Sequence, residues 1–286
     1  MSRRNNMERT GAAQSENSPA GIKKGFDFNF VSPTTFVELP SEGKYYPENH
    51  PLHGETTIEV REMTAHEEDI LADVNLQRNG QAINKLISNI IVDKRINADS
   101  LLIGDKNAIT IAARINGYGP EYKTTVGCPS CGAKSKHSFD LRHLESKHSI
   151  ITEAVTHVGD RVFQFVLPRT SYNIQIKLLN SNESGKMNKP IEKARKGKGN
   201  ANLQTSFLKL IIHAVENKPD GMWYHDRPVI EQFVEAIPAI DAAYLRTMYK
   251  AISPDIDMNQ EFECSECGHT QDMEVPLNAE FFWPDA

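Results

Sequence analysis

All four cysteines of the 286-residue chain lie in two copies of one short motif whose spacing is typical of metal ligands. The copies are Cys128-Pro129-Ser130-Cys131-Gly132 and Cys264-Ser265-Glu266-Cys267-Gly268. A Cys-x-x-Cys-Gly turn directs two sulfurs to one side, and its glycine permits a positive φ that brings backbone N–H groups close to the thiolates. Two such turns facing each other would form a saturated tetrahedral site. The sequence therefore predicts structural Zn²⁺ bound by Cys128, Cys131, Cys264 and Cys267.

Three other interpretations of the cysteine pairs are weaker but stay open. A disulfide within each pair would be strained and is not expected in a reducing cytoplasm. A redox-active pair usually sits at the start of a helix, whereas these pairs lie between predicted strands. A rubredoxin-like iron site would use the same two turns, but nothing else in the sequence indicates electron transfer. His137, His143 and His269 lie near the turns, and we interpret them as surface residues because four thiolates already saturate zinc.

The residues around the two turns repeat as well. Counted from the last cysteine of each turn, Phe139 corresponds to Val275 and Leu141 to Leu277, and upstream Val126 corresponds to Phe262. Each half is predicted to be a β-hairpin, so that the two halves form a zinc ribbon split by 132 intervening residues. Closing that loop costs about 4 kcal/mol, whereas metal binding to such sites contributes roughly 10–16 kcal/mol. Metal binding is therefore sufficient to hold the halves together.

The rest of the chain predicts an α+β protein with strands and helices in alternating blocks. Strands are expected at residues 35–39, 56–60 and 162–167, and Thr64 with Glu67 has the spacing of a helix capping box. Helices should dominate residues 172–252, and one of them should turn a stripe inward. That stripe consists of Ile240, Ala243, Tyr244, Thr247, Met248, Ala251 and Ile252. A helix near residues 109–115 is expected to stop at Gly117 and Gly119.

This pattern divides the chain into four parts. Residues 1–25 form a basic disordered tail, and residues 26–121 form an N-terminal α+β segment that opens with the alternating sequence of residues 26–31. Residues 122–141 and 259–286 form the split ribbon with a C-terminal aromatic tail. Residues 142–258 form a mainly helical insertion that contains a mobile basic loop at residues 184–200.

Charge is distributed unevenly along the chain, which has a net charge of −6. Residues 1–25 carry a net +3, residues 184–200 a net +5, and residues 253–286 a net −9. A chain with such blocks can meet several partners through different faces, and each block taken alone fits a solvated tail or loop equally well. The overall negative charge gives no general reason to expect nucleic-acid binding.

No segment of the sequence predicts catalysis or a membrane span. Phosphate-binding loops, dinucleotide-binding glycine patterns and serine nucleophile elbows are missing from the sequence, and His66 lacks the second histidine of a metalloprotease helix because position 70 is Ile. We therefore expect no enzyme, no catalytic residues and no small-molecule substrate. No stretch of 18 apolar residues occurs, and no apolar segment follows the N-terminal arginines as it would in a secretory signal.

Several segments, taken in order, resemble the baseplate hub and hub-assembly proteins of contractile-tailed, T-even-type bacteriophages. The segments are residues 36–43 with Tyr46-Pro47, residues 60–65 with Glu67-Glu68 and Ile70-Leu71, residues 114–122, residues 256–258, the two cysteine turns, and residues 281–284. The resemblance covers roughly residues 30–286. It implies a non-catalytic virion protein that helps build the hub, with other hub and tail proteins as partners. It also implies a location in the host cytoplasm during assembly and then in the tail baseplate.

A nucleic-acid- or polymerase-associated zinc-ribbon protein is the alternative function, since zinc ribbons are frequent in that class. The basic loop could contact phosphates. However, the second half of the ribbon has no Lys or Arg, and residues 184–200 have no aromatic residue. The sequence thus favours a structural role in a virion.

Overall fold

The computed structural model describes residues 32–187, 202–219, 221–277 and 279–282, and these residues form a mixed α+β fold. The predictions for residues 1–25 and 26–31, for most of the basic loop at 184–200, and for Trp283 and Pro284 lie outside the described residues. The described residues from Pro33 onward form one compact unit.

The described residues contain thirteen strands and eight α-helices. The strands are β1 (Thr34–Glu38), β2 (Thr57–Arg61), β3 (Glu121–Gly127), β4 (Lys134–Asp140), β5 (Glu145–Lys147), β6 (Thr156–Gly159), β7 (Val162–Val166), β8 (Asn173–Lys177), β9 (Ile212–Asn217), β10 (Met222–Tyr224), β11 (Asp255–Asp257), β12 (Asn259–Glu263) and β13 (Thr270–Glu274). The helices are α1 (Ala65–Ala72), α2 (Val74–Arg78), α3 (Ala82–Ile90), α4 (Ile103–Tyr118), α5 (Ser181–Gly185), α6 (Leu203–Ile211), α7 (Arg227–Ala236) and α8 (Ala239–Ile252). Short 3₁₀ turns cover Ala98–Ser100, Leu141–His143 and Ala279–Phe282.

The largest sheet has five antiparallel strands in the order β10-β9-β8-β7-β6, and it lies within the segment predicted to be mainly helical. That prediction is wrong for β8 and for the region after Ile211, where Ala214 and Val215 lie on β9 rather than on a helix. Short apolar runs do not by themselves distinguish helix from strand, and α6 passes into β9 without an intervening loop.

The inward face of α8 also differs from the predicted stripe. Its buried residues are Asp241, Leu245, Tyr249 and Ile252, whereas Ile240 is 59% exposed. The carboxylate of Asp241 accepts hydrogen bonds from the backbone N–H groups of Arg169 and Thr170 at 2.8 and 3.0 Å. Because this buried acid must face the loop that it binds, the helix is rotated away from the stripe that apolar periodicity favours.

Helix α4 packs between the N-terminal elements β1 and α3 and the later strand β11. It continues through Gly117 and ends at Gly119, which has a φ of +81°, so only the second predicted stop is correct. At its other end Gly104 lies against β11, where an added Cβ would stand 2.1 Å from the carbonyl oxygen of Pro254. This close approach brings the N-terminal half of the chain against β11, which precedes β12 and the second cysteine turn.

A buried carboxylate holds the segment between β1 and β2 onto α4. Asp105 accepts hydrogen bonds from the backbone N–H of Ser41 at 3.0 Å, from the Ser41 hydroxyl at 2.6 Å and from the Tyr46 hydroxyl at 2.7 Å. Burial raises the pKa of Asp105, and the three donors oppose that rise. The segment that follows β1 therefore packs against α4, and its polar residues stabilise the fold through hydrogen bonds to Asp105.

A second buried carboxylate, that of Glu67, stabilises the N-terminus of helix α1. The predicted capping box of Thr64 and Glu67 is confirmed, and Glu67, whose side chain is fully buried, also accepts from both terminal nitrogens of Arg61 at 2.7 and 3.0 Å. Burial raises the pKa of Glu67, but hydrogen bonds from Arg61 and Thr64 outweigh burial and lower it to about 2. The ionised form of Glu67 is therefore the form that stabilises the fold.

Replacing Glu67 with Gln should destabilise the protein in a pH-dependent manner. Because the folded-state pKa lies below the ordinary value, the carboxylate contributes fully above about pH 5, by about 2–3 kcal/mol, and this contribution falls as the pH approaches 2. Urea unfolding of both proteins between pH 7 and pH 3 should show the difference in unfolding free energy shrinking. Asp69→Asn, an exposed change on the same helix, serves as the control. A difference that is constant with pH would contradict this account.

Candidate metal centre

The two cysteine turns have the same backbone geometry. In the first turn the N–H of Cys128 donates to the carbonyl of Ala133 at 2.8 Å, and in the second turn the N–H of Cys264 donates to the carbonyl of His269 at 2.9 Å. The glycines repeat as well, since Gly132 and Gly268 have φ angles of +73° and +66°. Each turn joins two antiparallel strands, β3 to β4 and β12 to β13. The internal repeat seen in the sequence is therefore a repeat of local structure.

The fold brings the four sulfurs together although 132 residues separate the two turns. All four Sγ atoms lie within 4.8 Å of one another, and the Cys128–Cys267 and Cys131–Cys264 sulfur pairs are each 3.8 Å apart. A tetrahedral ion with metal–sulfur bonds of about 2.3 Å requires sulfur–sulfur edges of about 3.8 Å. All four cysteines are free thiols, with Cys128 and Cys264 buried and Cys131 and Cys267 exposed. The donor set and its spacing fit a tetrahedral Cys₄ metal site.

The electrostatics of the cluster also suit a cation. The backbone N–H of Cys131, together with that of Ser130, lowers the pKa of the Cys128 thiol to about 6. The N–H of His269 lowers the pKa of Cys267, but the neighbouring thiols and burial outweigh it and raise that pKa to about 12. One thiolate therefore forms readily, whereas four adjacent thiolates require a positive charge among them. A divalent ion supplies that charge.

The neighbouring histidines lie outside the ligand set. Among the described residues the four cysteines form the one group of metal-binding side chains that lie close enough together. His143 is exposed, and His269 lies 3.3 Å from Gln271 through its Nε2 atom. His137 is half-buried rather than on the surface, because its ring packs against Phe139 and Phe262 with centroids 4.6 and 5.2 Å apart. Burial lowers the pKa of His137, which favours a neutral packing residue.

The two hairpins are also joined by Gln260, a residue that no sequence pattern indicated. Its side chain accepts from the backbone N–H of Asp140 at 3.2 Å and donates to the carbonyl of the same residue at 2.7 Å. The repeated apolar positions Val126, Phe139, Phe262 and Val275 are buried as expected, whereas Leu277 is 43% exposed and breaks its match with Leu141. The two hairpins therefore meet through their inward faces.

A buried arginine joins β3 to α4 and to the C-terminal aromatic residues. Arg114 donates to the carbonyls of Phe281, Gly119 and Glu121 at 2.7, 2.6 and 3.1 Å. Phe281 and Phe282 are buried, so this part of the aromatic segment folds back on the core. In the sequence, Arg114 is a charged residue within the apolar pattern of a helix, and that position could have indicated a buried arginine.

Comparison with known proteins places the chain in a family. A family model described as T4 bacteriophage base plate protein matches residues 32–283, which is nearly the whole chain. The chain belongs to this family. It is a structural protein of a phage tail baseplate, and its partners are other phage tail proteins. Neither the curated proteins nor the solved structures provide a match.

No helix in the described part of the chain combines the length and the apolar character needed to cross a bilayer.

Loss of one buried ligand should abolish tight metal binding. We expect the protein purified without chelator to hold one metal ion per chain with four protected thiols, and Cys264→Ser to lose the ion because three thiolates leave the tetrahedron incomplete. Elemental analysis with thiol titration measures both quantities. Ser265→Ala changes an exposed non-ligand of the same turn and should keep the metal. Equal metal content in the two variants would exclude a Cys₄ site.

Replacing Arg114 with Lys should destabilise the fold even though the charge is kept. A lysine cannot reach three carbonyls arranged around a planar guanidinium, so buried acceptors lose their donors at a cost of about 2–4 kcal/mol. Urea unfolding monitors the loss, and limited proteolysis reports release of the C-terminal segment. Arg78→Lys, an exposed substitution at the end of α2, should change neither result. Unchanged stability of the Arg114 variant would show that the three hydrogen bonds are dispensable.

Proposed function

We propose that this chain is a non-catalytic structural and assembly protein of the baseplate hub, and that a structural Zn²⁺ ion stabilises it. The observation that carries the proposal is the match of a baseplate family to residues 32–283 of a chain whose four cysteines converge. The match supports a place in the baseplate, and assignment to the hub rests on the resemblance of the segments described above.

Zinc is the metal best suited to the centre. Four thiolates in a tetrahedron saturate Zn²⁺ and leave no position for water or substrate, which favours a structural over a catalytic ion. A rubredoxin-like iron centre would use the same ligands, but the described residues supply no feature that points to electron transfer. Cys128, Cys131, Cys264 and Cys267 are the proposed ligands, with no catalytic residues elsewhere.

The role of the ion would be to clamp a long insertion. The loop between Cys131 and Cys264 contains 132 residues, and ordering its ends costs about 4 kcal/mol, which is less than the roughly 10–16 kcal/mol of metal binding. The proposed ribbon, residues 122–141 with 259–286, would then hold the base of the segment formed by residues 142–258. A rigid body of this kind can present fixed surfaces to neighbouring subunits.

Partners and location follow from the hub assignment. We infer that the chain binds other hub and tail proteins, that it meets them in the host cytoplasm during assembly, and that it remains with the tail baseplate. Neither a small-molecule substrate nor nucleic acid is part of this role. The outward carboxylates of β12 and β13 disfavour a phosphate backbone, which opposes the alternative of a nucleic-acid-binding zinc ribbon.

Complementation of a phage that lacks this gene tests the hub role. Infected cells without the chain should accumulate tail parts that lack a complete hub, and the wild-type chain supplied in trans should restore sedimentation of intact baseplates. Cys264→Ser should fail to restore them, and Ser265→Ala should succeed. Normal baseplates in the absence of the chain would overturn the proposal. A gel shift with duplex DNA at moderate salt should show no complex, whereas a salt-sensitive complex would favour the alternative.

A further inference from the structure

The two hairpins of the metal centre carry opposite charges on their outward faces. Side chains alternate across a strand, so the residues of each hairpin that do not face the partner hairpin share one outer surface. On β12 and β13 this surface is exposed and holds four carboxylates without a cation, and we call it the acidic face. It consists of Glu261, Glu263, Asp272 and Glu274.

The corresponding surface of β3 and β4 is basic. Its exposed lysines, which define the basic face, are Lys123, Lys134 and Lys136. The carboxylates at the end of this surface are already engaged, since Glu121 pairs with Lys123 at 3.3 Å and Asp140 pairs with Arg142. Within the described part of the chain, Lys134 and Lys136 have no ion-pair partner.

The acidic face is arranged unfavourably for an isolated chain. Glu261 lies directly opposite Asp272 in the antiparallel register, and like charges at paired positions repel each other. Among the described residues, neither acid takes part in an ion pair that would relieve this repulsion. A cationic surface placed over the pair would relieve it.

The two faces point away from each other. The inward faces meet where the ring of His137 on β4 packs against Phe262 on β12 and where Gln260 pairs with the backbone of Asp140. The outer faces must therefore lie on opposite sides of one rigid unit. Each chain therefore has an acidic face on one side and a basic face on the other. Identical chains with this arrangement can bind head to tail.

We propose that the chain self-associates head to tail, with the acidic face of one copy docked on the basic face of the next. A second copy is the occupant that the structure favours because both complementary surfaces are present on the same unit of every chain. Such a heterologous contact produces a ring where the rotation closes and an open array where it does not. The inference concerns a property of the isolated chain and is independent of the hub assignment.

Charge reversal of each face, alone and in mixture, tests the proposal. Sedimentation of the full metal-loaded chain at about 0.05 M and 0.5 M salt should show oligomers at low salt that dissociate at high salt. Glu261→Lys with Asp272→Lys, or Lys134→Glu with Lys136→Glu, should each weaken self-association by about tenfold or more. Mixing the two variants should restore a one-to-one complex, because the first keeps its basic face and the second keeps its acidic face. Asp69→Lys with Glu153→Lys changes exposed carboxylates outside the ribbon and should leave association intact.

Three outcomes would overturn the proposal. The first is a wild-type chain that sediments as a monomer at low salt, and the second is association of the single-face variants as strong as that of the wild type. The third is loss of association when the lysines of residues 189–198 are replaced, together with unchanged association of Lys134→Glu with Lys136→Glu. That result would show that the acidic face binds the basic segment at residues 184–200 and not the basic face. Metal content and thiol protection of every variant confirm that the ribbon is intact when association is measured.

Discussion

The convergence of two cysteine turns that lie far apart in sequence is the constraint on which the rest of this structure depends. A separation of 132 residues makes the closure entropically costly, yet the sulfurs lie 3.8 Å apart across the two turns. Four adjacent thiols cannot all ionise without a counter-charge, and the opposed shifts of the Cys128 and Cys267 pKa values express that conflict. The geometry is thus suited to a cation that would turn electrostatic repulsion into cohesion.

Buried polar side chains, like the cysteine cluster, hold together segments that are distant in sequence. Asp105 holds the segment after β1 onto α4, Arg114 holds the C-terminal aromatic turn against the same helix, and Asp241 fixes α8 to the loop at residues 169–170. Each of these groups is fully buried, and its hydrogen bonds offset the cost of removing a charge from water. Helix α4 therefore links the N-terminal segment, the β3–β4 hairpin and the C-terminal aromatic turn.

Several predictions that rest on neighbouring residues are confirmed, although the helix stop expected at Gly117 is not. The hairpins around both cysteine pairs, the capping box at Thr64 and the strand at Val162–Val166 all depend on alternation, turn glycines or spacing within a few residues. The other failures occurred where distant contacts decide. Helix α6 becomes β9 because β8 pairs with it, and α8 is rotated because Asp241 binds a loop some seventy residues earlier in the chain. Propensity carries no information about either partner.

Residue types and short spacings specify the chemistry that this chain can perform. It contains two thiolate pairs in identical turns, a repeated hairpin frame, an uneven charge distribution and the segments that resemble a baseplate family, all of which are properties of residue type and short spacing. Which groups meet depends on long-range folding. The fold brings the sulfur atoms within tetrahedral range, joins the two hairpins through Gln260 and His137, and directs the acidic and basic faces to opposite sides. The physical reason is that long-range pairing depends on packing and burial summed over the whole chain, which no local window of sequence contains.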